Sequence, residues 1–113
     1  MKKLMIALVA GTVSMHAFAG GNVDKGKELA TKHACASCHG ADYKSPIDPS
    51  YPKLAGQYQD YLVHALTAYK RGDKPYGRNN PIMGGMVQPL SDQDKADIAA
   101  YLSSLPSPLV SQR

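Results

Sequence analysis

The segment Cys35-Ala36-Ser37-Cys38-His39 gathers two thiols and an imidazole within five residues. Cys-x-x-Cys-His is the spacing that attaches haem covalently. Two thiols one helical turn apart can each add across a vinyl group on one porphyrin edge, forming two thioethers. The next side chain, His39, then lies under the iron, where Nε2 coordinates it. Three other chemistries use parts of the pattern. A thioredoxin-like dithiol needs a βαβ setting, whereas the flanks here read as helix and loop. A tetrahedral zinc site needs four ligands, usually from paired motifs, and only His33 and His64 are spare. A disulfide between positions i and i+3 closes too small a loop to stabilise much. Haem attachment accounts for all three groups.

An iron with histidine on one face needs a partner on the other. Met83 and Met86 flank Gly84-Gly85 in one Gly-rich stretch, and a His/Met pair raises the potential and closes the iron to substrates. The chemistry of the two thioethers does not choose between them. Methionines more often fill cores, but beyond the N-terminal segment this chain has only these two. His64 falls off the apolar face of its helix and His33 lies just before Cys35, so both are expected in solvent rather than on the iron.

Three helical segments can position these groups. The first is capped by Asn22, carries Asp24 in its first turn and runs through Leu29 and Ala30 towards Cys35. Gly26 inside it costs about 1 kcal/mol relative to Ala, which close approach of another helix would justify. The second spans Gln57 to Lys70, with Tyr58, Tyr61, Leu62, Ala65, Leu66 and Tyr69 on one face and Gly72 as its stop. The third opens at Ser91-Asp92-Gln93-Asp94, a capping box with Asp in place of Glu. It carries Ile98, Tyr101, Leu102 and Leu105 and ends at Pro106. Gly40–Gly56 and Gly72–Leu90 read as Gly/Pro-rich loops, and no segment alternates long enough for a strand.

Met1–Ala19 reads as an export signal: Lys2 and Lys3, an apolar run from Leu4 to Val13, and Ala17-Phe18-Ala19 as a cleavage site. Gly11, Thr12, Ser14 and His16 interrupt the run, so it falls short of a membrane span. The whole chain has 113 residues, 43% hydrophobic and 19% charged, with two cysteines. That fits one domain and excludes a disordered chain or a disulfide-stapled miniprotein. The formal charge of +4 hints at nucleic acid only until the leader is removed, which takes two lysines and leaves 94 residues at +2. All seven tyrosines remain but no Phe and no Trp, so the apolar core is thin and a bound group would complete it.

Further stretches carry a resemblance: Tyr51-Pro52-Lys53-Leu54-Ala55-Gly56-Gln57, Pro81-Ile82-Met83-Gly84-Gly85-Met86, Pro89-Leu90-Ser91-Asp92-Gln93-Asp94 and Ile98-Ala99-Ala100-Tyr101. With the haem motif, they make the chain resemble a class I c-type cytochrome of the small soluble bacterial mono-haem kind. It is especially similar to one half of the periplasmic di-haem cytochromes c. The resemblance implies an all-α small cytochrome c fold, three main helices plus loops around one covalently bound haem c. The domain would cover 20–113, with 106–113 as a frayed tail. It implies Cys35 and Cys38 as the thioether residues, His39 as proximal ligand and Met83, ahead of Met86, as distal ligand. A proline carbonyl to His39 is expected from Pro46, with Pro49 as fallback. Gly26 and Tyr101 match the pair at the terminal helix crossing.

The implied activity is that of a periplasmic one-electron carrier in a respiratory chain rather than an enzyme. Its partners would be redox proteins: a donor such as a quinol-oxidising complex and an acceptor such as a terminal oxidase or reductase. No nucleic acid partner is expected, and no membrane span after signal cleavage. Lys53, Lys70, Arg71, Lys74 and Arg78 are candidates for a docking face, and Arg78 or a tyrosine for a haem propionate contact. The competing readings are a docking subunit of a larger oxidoreductase, or an open-site haem enzyme or ligand sensor with five-coordinate iron.

Overall fold

The computed structural model describes residues 20–109, so the expected export signal and residues 110–113 lie outside the described part. Five helices follow in order: α1 Val23–Lys32, α2 Ala36–His39, α3 Gln59–Arg71, α4 Pro81–Val87 and α5 Asp92–Ser104. No strand occurs among the described residues, and the fold is all-α as expected.

The first and last long helices cross at Gly26. The Asn22 side chain caps α1 by accepting from the Lys25 N–H at 2.8 Å, and its own N–H donates to Asp97 Oδ1 on α5 at 2.8 Å. A Cβ at Gly26 would stand 1.9 Å from the Asp97 carbonyl oxygen and 2.8 Å from Tyr101 Cβ. The expected Gly26–Tyr101 pairing is therefore a close approach in which the α1 backbone meets the Asp97 carbonyl and the Tyr101 Cβ, leaving no room for a side chain at 26. Helix α5 begins with the expected capping box, Ser91 and Asp94 each bonding the other's backbone N–H at 3.0 Å. Lys95 on α5 is buried, yet its Nζ reaches Thr67 Oγ1 at 3.1 Å on α3 and Asp92 Oδ1 at 2.8 Å. Helix α3 is thereby tied to α5. Leu29, Ala30, Leu62, Val87, Leu90, Ile98, Ala99 and Leu102 form the shared core.

Two readings of the sequence change here. The apolar face expected for the second helical segment is too wide: Leu62 is buried, but Tyr58 is 83% exposed and Tyr61 also reaches solvent. Tyr58 is the N-cap, with a non-helical ψ of 132°, and so leaves the helical face. The Tyr61 ring is drawn instead to the Arg78 guanidinium, 5.8 Å from its centroid. The second change is α4, which replaces part of the loop expected over Gly72–Leu90. Asn80 Oδ1 accepts from the N–H of both Ile82 and Met83 at 3.0 Å, and Pro81 stands at the first helical position. Val87 is buried from its far end. A good cap and an apolar anchor offset two glycines that each cost about 1 kcal/mol in a helix interior. Beyond α5, Pro106–Leu109 has no regular structure, and Ser107 packs against Gly56.

Candidate functional site

The turn that presents the cysteines comes from how α1 ends. The Cys35 N–H donates to the Ala30 carbonyl and the Ala34 N–H to Thr31, both at 3.0 Å. This paired closure is a Schellman motif, and it puts Ala34 in the left-handed region at φ 52° where glycine is the usual choice. The chain then starts α2 at once, so Cys35 and Cys38 sit one turn apart and His39 follows at its end. Gly40, at φ 88°, turns the chain away, and a Cβ there would meet the Ser45 carbonyl oxygen at 2.2 Å. Both cysteine side chains are half-buried, and they are not joined to each other. Burial pushes the Cys35 thiol above its ordinary pKa, partly countered by its own backbone N–H. The thiol form is the one that a low-polarity cavity favours.

His39 is 6% exposed, and its Nδ1 lies 2.9 Å from the Pro52 carbonyl oxygen. A carbonyl only accepts, so Nδ1 carries the proton and donates, and in the neutral ring the lone pair then sits on Nε2. Fixing the tautomer this way orients the ring and raises its basicity towards a metal. The carbonyl partner is therefore Pro52, and the expectation of Pro46, with Pro49 as fallback, is corrected. The physical reason lies in the loop. Asp42 accepts from the N–H of Lys44 and Ser45, and Asp48 from the N–H of Ser50. These turns, together with the Ile47 N–H to Cys38 carbonyl bond of 3.1 Å, use up the segment around Pro46. Only at Tyr51–Lys53 does the chain return beneath the imidazole. The signal was present in the sequence, because Pro52 lies in the Tyr51-Pro52-Lys53-Leu54 stretch, but no rule of spacing separated three prolines.

Two adjoining cavities, of about 180 and 340 Å³, open beside His39. The first takes Cys35, Cys38, His39, Met83 and Met86 in its wall, with Val87, Leu90 and Ile98 as apolar lining. The second shares His39, Leu54, Leu66, Met83 and Leu102. Met83 is half-buried and packs against the core, whereas Met86, three residues on, is 40% exposed. His64 is exposed as expected, but His33 is half-buried and lines the first cavity. The Schellman turn explains that difference, since it folds residues 33–35 back over the opening.

A haem fits what these residues offer. The site brings together two thiols spaced for one porphyrin edge, an imidazole with a fixed tautomer and a thioether from another helix, in apolar surroundings. Among the described residues no group of three or more His, Cys, Asp or Glu side chains could hold a bare metal ion instead. None of the helices there is long and apolar enough to cross a membrane.

Comparison with known proteins agrees with this arrangement. The Cytochrome c family matches residues 23–106. Cytochrome c4 of Stutzerimonas stutzeri is 42% identical over 111 residues, covering 92% of this chain and 51% of its own length. Cytochrome c-554(548) of Halomonas halodenitrificans is 47% identical over 70 residues, covering 62% of this chain and 82% of its own. The crystal structure of reduced recombinant cytochrome c4 from Pseudomonas stutzeri superposes with a TM-score of 0.68 at 41% identity, over 76% of this chain and 46% of that one. The chain spans about half the length of the cytochrome c4 relatives it matches. A chain matched this far along its length, by identity and by fold alike, belongs to the cytochrome c family, and it carries one covalently bound haem c.

Proposed function

We propose that this chain is a diffusible one-electron carrier whose haem is anchored by Cys35 and Cys38 and held between His39 and Met83. The observation that carries the reading is that Met83 on α4 and His39 at the end of α2 wall the same two cavities from separate elements. The haem, when bound, supplies a ferric/ferrous couple. Everything else is done by the chain. Pro52 holds the imidazole so that Nε2 offers its lone pair. Met83, rather than the more exposed Met86, supplies the thioether, because its side chain is packed and its position reaches both cavities. Leu54, Leu66 and Leu102 exclude water from the same space, which limits solvent reorganisation when charge changes.

The reading extends to location and partners. Met1–Ala19 directs export and is removed, leaving 20–113 as the working domain in the periplasm. Ile82 and Met86 expose apolar surface at the edge of the first cavity, 56% and 40% respectively. That edge suits brief, small-area contacts with redox proteins of a respiratory chain, one donating and one accepting. No step of substrate chemistry is assigned to the chain.

The optical spectrum of the oxidised holoprotein tests this. The weak far-red band of a methionine–ferric bond is expected in the wild type and in Met86→Ala, and absent in Met83→Ala. Loss in Met86→Ala alone would reverse the ligand assignment. A high-spin wild-type iron, or ready carbon monoxide uptake by the ferrous form at neutral pH, would refute the carrier reading.

A further inference from the structure

The two cavities differ in chemistry along one direction. Cys35 and Cys38 line the first and are absent from the second; Lys53, Gln57, Tyr61 and Arg78 line the second and are absent from the first. A haem is itself directional. Its vinyl carbons, which the cysteines take, and its two propionate carboxylates lie at opposite edges of the ring. Anchoring one edge at Cys35 and Cys38 in the first cavity sends the carboxylate edge into the second.

The second cavity has the complementary charge. No Asp or Glu lines it, and among the described residues neither Lys53 nor Arg78 takes part in an ion pair. Arg78 is also held in place. Its guanidinium lies 5.8 Å from the Tyr61 ring centroid and 5.3 Å from that of Tyr69, with Nη2 3.4 Å from the Tyr61 hydroxyl. Its backbone N–H donates to the Ala68 carbonyl at 2.9 Å, which ties the segment to α3. Two cations and a phenol at a cavity mouth, with no carboxylate of their own, are a site for an anion from elsewhere. A carboxylate reaching this cavity mouth would find no other charged partner there, and a planar guanidinium meets it through paired N–H donors.

We propose that Lys53 and Arg78 bind the two haem propionates, with Tyr61 and Tyr69 positioning the guanidinium. The inference rests on the haem being anchored at Cys35 and Cys38 and is independent of which methionine binds the iron. Both cations oppose the carboxylate charge that would otherwise favour ferric iron, so they raise the reduction potential. They also favour ionised propionates, so they set the pH at which the potential begins to fall.

Spectroelectrochemical titration of the holoprotein across pH checks this, with Arg78→Gln, Lys53→Gln and, as a matched charge loss outside both cavities, Lys74→Gln. The expected result is a lower potential in the first two than in Lys74→Gln, with the fall of potential beginning at a higher pH. Resonance Raman spectra should show the propionate bending band moved in the same two variants, and Arg78→Lys should restore part of each shift. Potentials, pH profiles and bending bands matching those of Lys74→Gln would overturn the proposal; if Arg78→Gln does not fold, Lys53→Gln and Arg78→Lys decide the question by the same readouts. A wild type that shows the methionine band while these variants are unchanged overturns the carboxylate site alone. A wild type without that band, with the variants shifted, overturns the axial reading alone.

Discussion

Replacing Gly26 with alanine adds one methyl group where α1 crosses α5. The new carbon would stand 1.9 Å from the Asp97 carbonyl oxygen, against 3.4 Å for ordinary contact, so the two helices must part. The obstacle is backbone, which cannot swing aside as a side-chain tip would. Overpacking of this kind costs about 1–3 kcal/mol. Parting the helices also stretches the Asn22 N–H to Asp97 bond, and a hydrogen bond to a charged group is worth about 1.5–3 kcal/mol. Alanine returns about 1 kcal/mol of helix propensity. The net expectation is a loss of about 2–4 kcal/mol. Gly85→Ala is the contrast, because a Cβ there meets nothing within 4 Å and keeps only the propensity gain of up to about 1 kcal/mol. The same chemical change should therefore shift stability in opposite directions at two sites. Guanidinium unfolding of the haem-loaded protein, followed by Soret absorbance and far-UV circular dichroism, measures both at unchanged slope. A Gly26→Ala midpoint equal to or above the wild type would refute the crossing argument.

Asn80→Ala removes the cap of α4 and should cost about 1 kcal/mol, with the far-red methionine band melting away at a temperature further below global unfolding than in the wild type. Ala34→Gly relieves a left-handed residue worth about 1–2 kcal/mol against a glycine entropy cost of roughly 0.5–1 kcal/mol, so the Tm should rise slightly rather than fall. Asp94 is held below the ordinary aspartate pKa of 3.8, first by the Ser91 backbone N–H. A lowered folded pKa stabilises above the unfolded value and is lost as pH falls through the folded one. Asp94→Asn should therefore lower stability at neutral pH and narrow the gap between unfolding midpoints at pH 7 and pH 3; an undiminished gap would contradict the capping-box contribution.

The parts of this fold that were readable in the sequence are those encoded locally. The Asn22 cap, the Ser91–Asp94 box and the Gly72 stop each act within four residues, and each stands where the pattern put it. Gly26 was readable for a different reason, since a glycine inside a helix demands a neighbour. The Cys35–His39 motif is likewise a local device. What escaped depended on contacts between segments. Helix α4 was hidden because Gly84-Gly85 argues against a helix, and only the Asn80 cap and the burial of Val87 outweigh that. The exposure of Tyr58 and Tyr61 followed from where α3 starts and from Arg78 nearby. The choice of Pro52 over Pro46 was set by the Asp42 and Asp48 turns, whose combined reach no single spacing reveals. His33 joined the cavity through a turn that sequence statistics would have assigned to glycine.

The hydrogen bond from Asn22 to Asp97 joins residues 75 positions apart, so it closes a loop spanning most of the described chain. Closing such a loop is an entropic step whose cost rises only slowly with length, but it cannot begin until both ends exist. Contacts this distant in sequence also slow folding. A chain made from its N-terminus thus holds Cys35, Cys38 and His39 long before the helix that braces α1 has been synthesised. Ile98 and Leu102, which wall the same cavity as the cysteines, arrive only with that last helix. Until α5 docks, the wall formed by Ile98 and Leu102 is missing, so both thiols can be reached from that side, and docking of α5 completes the cavity around them.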